Sequence, residues 1–259
     1  MPEGTSAILN ARSLMTSNRR LAEMLRPGLA VLDVGCGTGA ITRGMAEAVL
    51  PNGQVVGIDA NARLIAQARR GHGDVPGLSF EVCDIYRLPH RDQFDVVTAA
   101  RVLQWLANPL AALQKMAGAV KPGGAVLVLD YNHEKIRWQP LPPQSMHTFY
   151  RAFLRWRAEF GMDNAIVDHL PAMLATVGLV GIIETPQHEV TCRGDPDFET
   201  RIGIWAEVAA SRGHQMVADG MLTEAQSAAA EADYRAWIHD SAERQILYLM
   251  AVQGVRPMV

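Results

Sequence analysis

The chain has 259 residues, 49% of them hydrophobic, enough to bury a sizeable core as one large α/β domain or two small ones. Its 24 Lys and Arg against 27 Asp and Glu give a net charge of -3, which supplies no field to draw in a phosphate backbone or an anionic membrane, so nucleic acid is a disfavoured partner. The three cysteines, Cys36, Cys83 and Cys192, stand far apart in no C-x-x-C or zinc-type spacing, which argues against a disulfide framework and a metal site and for reduced thiols.

Residues 5–25 read as a helix carrying Leu9, Leu14, Leu21, Met24 and Leu25, stopped by Arg26-Pro27-Gly28. From residue 30 onward short apolar runs alternate with amphipathic ones, the pattern of parallel strands joined by helical crossovers. Strands are expected at 30–34, 54–58, 78–82, 94–99, 125–129 and 181–184, and helices at 40–49, 61–69, 109–120 and 171–176. Residues 133–144, with Pro140, Pro142 and Pro143, read as loop.

A helical excursion follows. Asp195 before Pro196 is expected to open one helix, and Thr223 with Gln226 three residues on forms a capping box for another. Ile202, Trp205, Ala206 and Ala209 fall on one apolar stripe that must pack on the sheet or on a substrate. A last strand is expected at 245–252. No uncharged stretch is long and unbroken enough to span a bilayer, and the first twelve residues have no signal-like core, so the expectation is a cytoplasmic protein without membrane insertion.

The strongest local signal is Val31-Leu32-Asp33-Val34-Gly35-Cys36-Gly37-Thr38-Gly39, a buried strand entering a glycine turn and then a helix. Glycines suit a sharp turn whose backbone a ligand must approach closely. Gly35, Gly37 and Ala40 also satisfy the dinucleotide fingerprint, so a nicotinamide-dependent enzyme has to be weighed. Both enzyme types want an acid at Asp59, but the set of three acids at three successive strand ends favours another cofactor. Asp33 sits where that fingerprint is usually apolar, Asp59 can accept from two ribose hydroxyls, and Cys83-Asp84-Ile85 supplies an acceptor and an apolar face for an adenine. Each acid has a plainer reading beside it. Asp59 could cap the helix before Asn61, and Asp84 could cap a turn. Cys36 and Cys83 read as small space-fillers.

Together these residues resemble the class I S-adenosylmethionine-dependent methyltransferases, in the broad group that includes the ubiquinone and menaquinone biosynthesis C-methyltransferases. Residues 31–39 resemble that family's first motif, 55–61 its ribose-binding strand end, and 83–85 its adenine contact. Phe94-Asp95-Val96-Val97 with Leu103-Gln104-Trp105-Leu106 resembles its fourth-strand motif, and the run ending Val120-Lys121-Pro122-Gly123-Gly124 the signature before its fifth strand. The similarity is continuous over residues 31–129 and weaker at 171–183 and 245–252.

The resemblance implies a Rossmann-like, doubly wound seven-stranded α/β sheet, mostly parallel with an antiparallel final strand, under a helical cover. It is expected as one methyltransferase domain, with a cap at 1–28, a core at 29–191 and 243–254, and a lid at 192–242. The implied cofactor is S-adenosyl-L-methionine, leaving as S-adenosyl-L-homocysteine, with no metal. Its expected contacts are Asp33, Gly35, Cys36, Gly37, Gly39, Asp59, Ala60, Asp84, Ile85 and Arg101, with Arg12 on the first helix for the cofactor carboxylate. The Pro-Pro-Tyr element of adenine-specific DNA enzymes is missing, since that position reads Ala99-Ala100-Arg101-Val102.

Candidate general bases after the fifth strand are Tyr131, His133 and Glu134, and candidate acceptor contacts are Trp105, Tyr131 and Trp205. The expected acceptor is a small apolar or aromatic molecule enclosed by the first helix and the helices of 195–240, with Trp205, Trp237 and Met216 among the side chains of that cover and Phe153 and Trp156 on the segment before it. A protein or RNA methyltransferase, and a reductase or non-catalytic cofactor-binding protein on the same scaffold, are the alternatives.

Overall fold

The structure is a computed structural model that describes residues 12–258, so the part of the expected first helix before Arg12 lies outside the described residues. The chain divides into two compact units: a sheet unit of residues 12–131, 166–187 and 249–258, and a helical unit of residues 132–165 and 188–248.

The sheet unit begins with two short helices, α1 (Leu14–Ser17) and α2 (Arg19–Met24). The single expected helix is broken at Asn18, which closes α1 and caps α2 by accepting the Leu21 N–H on its side chain. Short polar residues favour such caps over helix interiors, and the apolar spacing alone did not register it. Leu14 packs against α3 (Ala40–Val49), its Cβ lying 2.9 Å from where a side chain on Gly44 would start.

The strands of this unit are β1 (Ala30–Val34), β2 (Gln54–Asp59), β3 (Leu78–Val82), β4 (Phe94–Ala100), β5 (Val120–Gln139), β6 (Val180–Pro186) and β8 (Arg244–Val255), of which β5 and β8 also run on into the helical unit. Their order is β3-β2-β1-β4-β5-β8-β6. The pairs β1–β2, β2–β3, β1–β4 and β4–β5 are parallel, and β6–β8 is antiparallel. The strand order reverses beside β1, which is where a doubly wound sheet opens a crevice at the carboxyl ends of its strands. Val31, Leu32, Val97, Val126 and Leu127 are fully buried, as strands covered on both faces require. Helices α4 (Ala62–His72), α5 (Pro109–Ala119) and α7 (Ile166–Thr176) complete the unit.

Two expectations here need correcting. Lys121-Pro122-Gly123-Gly124 lies within β5 as a bulge, because Phe94 and Val96 are two residues apart while their partners Val120 and Ala125 are five apart. Gly123 supplies the left-handed φ of 80°, and Lys121 Nζ anchors the bulge on Asp95 at 2.8 Å. Likewise α7 starts five residues before Pro171, which lies inside it. The buried row Ile166, Val167, Leu170 and Leu174 outweighs the one backbone hydrogen bond the proline removes.

In the helical unit β5 continues to Gln139, so residues 133–139 are strand and not the loop expected from the nearby prolines. Those prolines begin only at Pro140, where the strand ends. An unexpected strand, β7 (Glu189–Cys192), pairs antiparallel with the start of β8, its Thr191 opposite Gln245. Four residues with a single apolar branched side chain leave no pattern to detect.

The unit's helices are α6 (Gln144–Glu159), α8 (Phe198–Ile202), α9 (Ile204–Ala218) and α10 (Glu224–Asp240). The capping box of Thr223 and Gln226 is present. Asp195 does not cap α8. Its Oδ2 accepts the Cys192 N–H at 2.8 Å and so closes the turn after β7. Tyr234, fully buried, donates to the Ile202 carbonyl and accepts from Trp138 Nε1 and Gln245 Nε2. No helix among the described residues is long and apolar enough to cross a membrane.

Candidate functional site

The glycine turn between β1 and α3 carries left-handed φ values at Gly35 (73°), Gly37 (58°) and Gly39 (80°). At Gly35 a side chain is excluded twice, because Val102 Cγ2 occupies the position its Cβ would take. Four of the turn's amides are held by the protein itself. Gly35 and Cys36 donate to the Ile58 carbonyl at 2.7 and 2.9 Å, and Gly39 to the Cys36 carbonyl at 3.0 Å. Gly37 donates to Asp59 Oδ2, also at 3.0 Å.

Asp59 therefore has a defined place. It ends β2 half-buried, its Oδ2 on Gly37 N–H and its Oδ1 on Asn61 N–H at 2.8 Å. The helix cap is Asn61, whose Oδ1 accepts from Arg63 and Leu64. Two backbone donors leave a carboxylate with unused lone-pair directions, as acceptance from a ribose diol requires.

Asp33 lies beneath the turn, 4% exposed, accepting from Thr42 Oγ1 at 2.6 Å. Burial pushes its carboxyl up to about 7, the Thr42 hydrogen bond opposing and the Asp59 charge adding. Cys36 is half-buried, and burial followed by the charges of Asp33 and Asp59 holds its thiol strongly protonated, consistent with a space-filler. Ala60 is exposed between Asp59 and Asn61. At the end of β3, Asp84 is exposed and caps the turn Ile85–Arg87 with one oxygen, accepting the Tyr86 N–H at 2.9 Å, while Ile85 is buried beside it. Asp33, Asp59 and Asp84 thus stand at the carboxyl ends of β1, β2 and β3, adjacent strands of one sheet.

After the end of β4 and within β5 lies a second cluster. Arg101, 6% exposed and with φ 62°, donates from Nε to the Tyr131 hydroxyl at 2.9 Å and from Nη2 to the Ser17 carbonyl at 3.1 Å. Asp130, fully buried, accepts the N–H of Gln104 at 3.1 Å and of Tyr131 at 3.0 Å. Trp105 is half-buried on the short turn Leu103–Trp105, and Arg12 is half-buried just before Ser13, the cap of α1. Sequence reasoning passed over Thr42, Gln104 and Asp130. An acid ending an apolar strand run, already used to single out Asp33, was the available signal for Asp130.

His133 and Glu134 are separated by the alternation of a strand, the first buried and the second exposed, so adjacency does not make them a pair. Within the helical unit the His133 ring meets the rings of Phe153 and Trp205 edge-on at 6.0 Å. Burial, and then the charge of Arg157, hold its pKa well below the usual histidine value. Trp205 packs against Tyr150 and Phe153 with centroids 4.6 and 5.5 Å apart. The stripe of Ile202, Trp205, Ala206 and Ala209 is buried, and the aromatic side chains around it form the unit's own core.

A methyltransferase domain family matches residues 25–169. Over 122 residues the chain is 39% identical to a ubiquinone/menaquinone biosynthesis C-methyltransferase of Burkholderia vietnamiensis, covering 45% of this chain and 48% of that protein. The chain spans less than half the length of the first curated relatives it matches. Phosphoethanolamine N-methyltransferase 2 of Haemonchus contortus, solved with S-adenosyl-L-methionine, shares the fold with a TM-score of 0.56 at 20% identity, over 93% of this chain and 52% of that one. The [4+2]-cyclase SpnF does so with a TM-score of 0.55 at 22% identity, over 96% and 85%. With more than half its length under one family model, the chain belongs to the methyltransferase domain family.

Proposed function

We propose that the chain binds S-adenosyl-L-methionine at the glycine turn and transfers its methyl group to a small molecule. The observation that carries the choice of cofactor is the carboxylate seated on the turn, since Asp59 accepts the Gly37 N–H. A carboxylate there repels a pyrophosphate and attracts a sulfonium, so the turn favours a cationic ligand over a dinucleotide.

Asp59 would accept the ribose hydroxyls, Asp84 and Ile85 would meet the adenine, and the bare backbone of Gly37 would lie against the ligand. Asp33 supports the turn from below through Thr42. Arg12 is proposed for the cofactor carboxylate. The bound sulfonium supplies an activated methyl group. What the protein must add is alignment of the acceptor's nucleophile with that methyl. Tyr131, held at the end of the fifth strand's first segment, is the side chain proposed to face the acceptor.

A small-molecule acceptor is supported by the name of the C-methyltransferase relative. Net charge -3 argues against RNA. The aromatic side chains of the helical unit give no support to an aromatic acceptor, since they pack on one another.

Calorimetric titration with S-adenosyl-L-homocysteine and, separately, NADH tests the cofactor. Binding of the first alone is expected, and binding of NADH alone would overturn the reading. Labelled S-adenosyl-L-methionine incubated with small-molecule, RNA and protein fractions of a cell extract tests the acceptor. Label is expected in the small-molecule fraction, and label confined to RNA or protein would overturn that part.

A further inference from the structure

We propose that Arg101 is a positioning residue for methyl transfer, fixing the Tyr131 hydroxyl and acting through it. The inference rests on the methyltransferase reading above and adds to it a specific device between the end of β4 and the middle of β5.

The first observation is conformational. Arg101 holds φ at 62° although it is neither glycine nor one of the short polar residues that tolerate the left-handed region. Such strain persists only where the surroundings over-determine it. Here they do. The Arg101 N–H is held by the Leu129 carbonyl at 2.7 Å, and its own carbonyl accepts from Gln104 Nε2 at 3.3 Å. Gln104 and Tyr131 are both tied by their N–H groups to the buried Asp130 carboxylate. The turn after β4 and the middle of β5 are thus fastened to each other through Arg101 and Gln104.

The second observation is where this clamp stands. Val102, the next residue, fills the space a side chain on Gly35 would need. Arg101 is therefore one residue from a direct contact with the glycine turn. Its left-handed backbone sends Val102 toward that turn while its own side chain reaches Tyr131 and Ser17.

The third is chemical. The Nε–H of Arg101 occupies one lone pair of the Tyr131 oxygen, so the phenolic hydrogen is directed away from the cation. A hydroxyl of fixed direction can orient a heteroatom on the acceptor, and small errors in such orientation have large effects on rate. The second arm on Ser17 joins α1 to the same guanidinium. Lysine cannot reproduce that fork, since its ammonium is a single point of donation.

The test is a double-mutant cycle on the whole chain, with wild type, Arg101→Lys, Tyr131→Phe and the double variant. The readouts are the dissociation constant for S-adenosyl-L-homocysteine and the initial rate of label transfer to the small-molecule fraction, both measured well below each variant's unfolding midpoint. Tyr131→Phe removes only the hydroxyl, which keeps the test open if Arg101→Lys folds poorly. Each single change is expected to slow transfer by about tenfold or more, the effect of losing one charge-assisted hydrogen bond in the transition state. The double variant should be no slower than the slower single one, and all four should bind S-adenosyl-L-homocysteine within about threefold of wild type. Multiplying losses would show that Arg101 does not act through Tyr131. A loss of cofactor affinity matching the loss of rate would make Arg101 a cofactor ligand instead. Either result overturns the proposal, whereas wild type that binds no S-adenosyl-L-homocysteine would bring down the underlying methyltransferase reading.

Discussion

The carboxylate of Asp59 holds the backbone N–H of Gly37 at 3.0 Å, so the acid at the end of β2 is built into the turn that follows β1. The same group that would accept a ribose diol also shapes the loop beside it. Asp59→Ala removes hydrogen bonds to a charged acceptor and is expected to weaken S-adenosyl-L-homocysteine binding by roughly a hundredfold, about 3 kcal/mol. Asp59→Asn keeps one acceptor oxygen and should fall between. Calorimetry on the folded variants decides it, and an Asp59→Ala protein with normal affinity would reduce the residue to a loop brace.

Asn61→Ala should do the reverse. Asn61 caps α4 through the Arg63 and Leu64 N–H groups, and loss of such a cap costs about 1 kcal/mol. Thermal unfolding should move down by about 2 °C while cofactor affinity stays within about threefold of wild type. The pair of variants separates the binding acid from the capping amide two residues on.

The parts legible in the sequence were those with a local physical signature. The run from Val31 to Gly39 announces itself because an apolar strand and a turn with three glycines follow in nine residues, and a helix opens at Ala40. The strand-end acids could be found because a charge closing an apolar run is conspicuous. Their division of labour could not be read. Whether Asp33 faces a ligand or Thr42, and whether Asp59 or Asn61 caps α4, depends on side-chain directions set by packing. The Arg101 clamp joins residues 84 and 30 positions apart and has no local pattern at all. The same blindness let three prolines hide the seven residues of β5 that precede them.

Gly35→Ala should be destabilising for two separable reasons. The φ of 73° disfavours any side chain by about 1–2 kcal/mol, and Val102 Cγ2 occupies the Cβ position. Adding Val102→Ala should restore the steric part and leave the conformational part. Denaturant titration of the single and double variants measures both, and full recovery in the double variant would show that the backbone angle carries no penalty.

Asp33 supplies a pH signature. Its folded-state carboxyl is pushed up to about 7 by burial, whereas an unfolded aspartate titrates at its ordinary value near 3.8. The folded protein therefore binds more protons than the unfolded one between those values, and the stability the protonated group contributes is lost as the pH rises through about 7. Asp33→Asn cannot ionise, yet its side-chain oxygen can still accept from Thr42. Near pH 4, where the folded carboxyl is protonated and the unfolded one only about half ionised, the variant and wild type should unfold at similar denaturant concentrations. As the pH rises from about 4 to about 7 the variant should become progressively the more stable, and above about 7, where wild type buries a charge beneath the glycine turn, the gap should level off. Denaturant titrations of both proteins from pH 4 to pH 9 check the trend. A gap that stays constant, or that narrows as the pH rises, would mean that Asp33 is ionised throughout and that Thr42 and the turn backbone stabilise its charge.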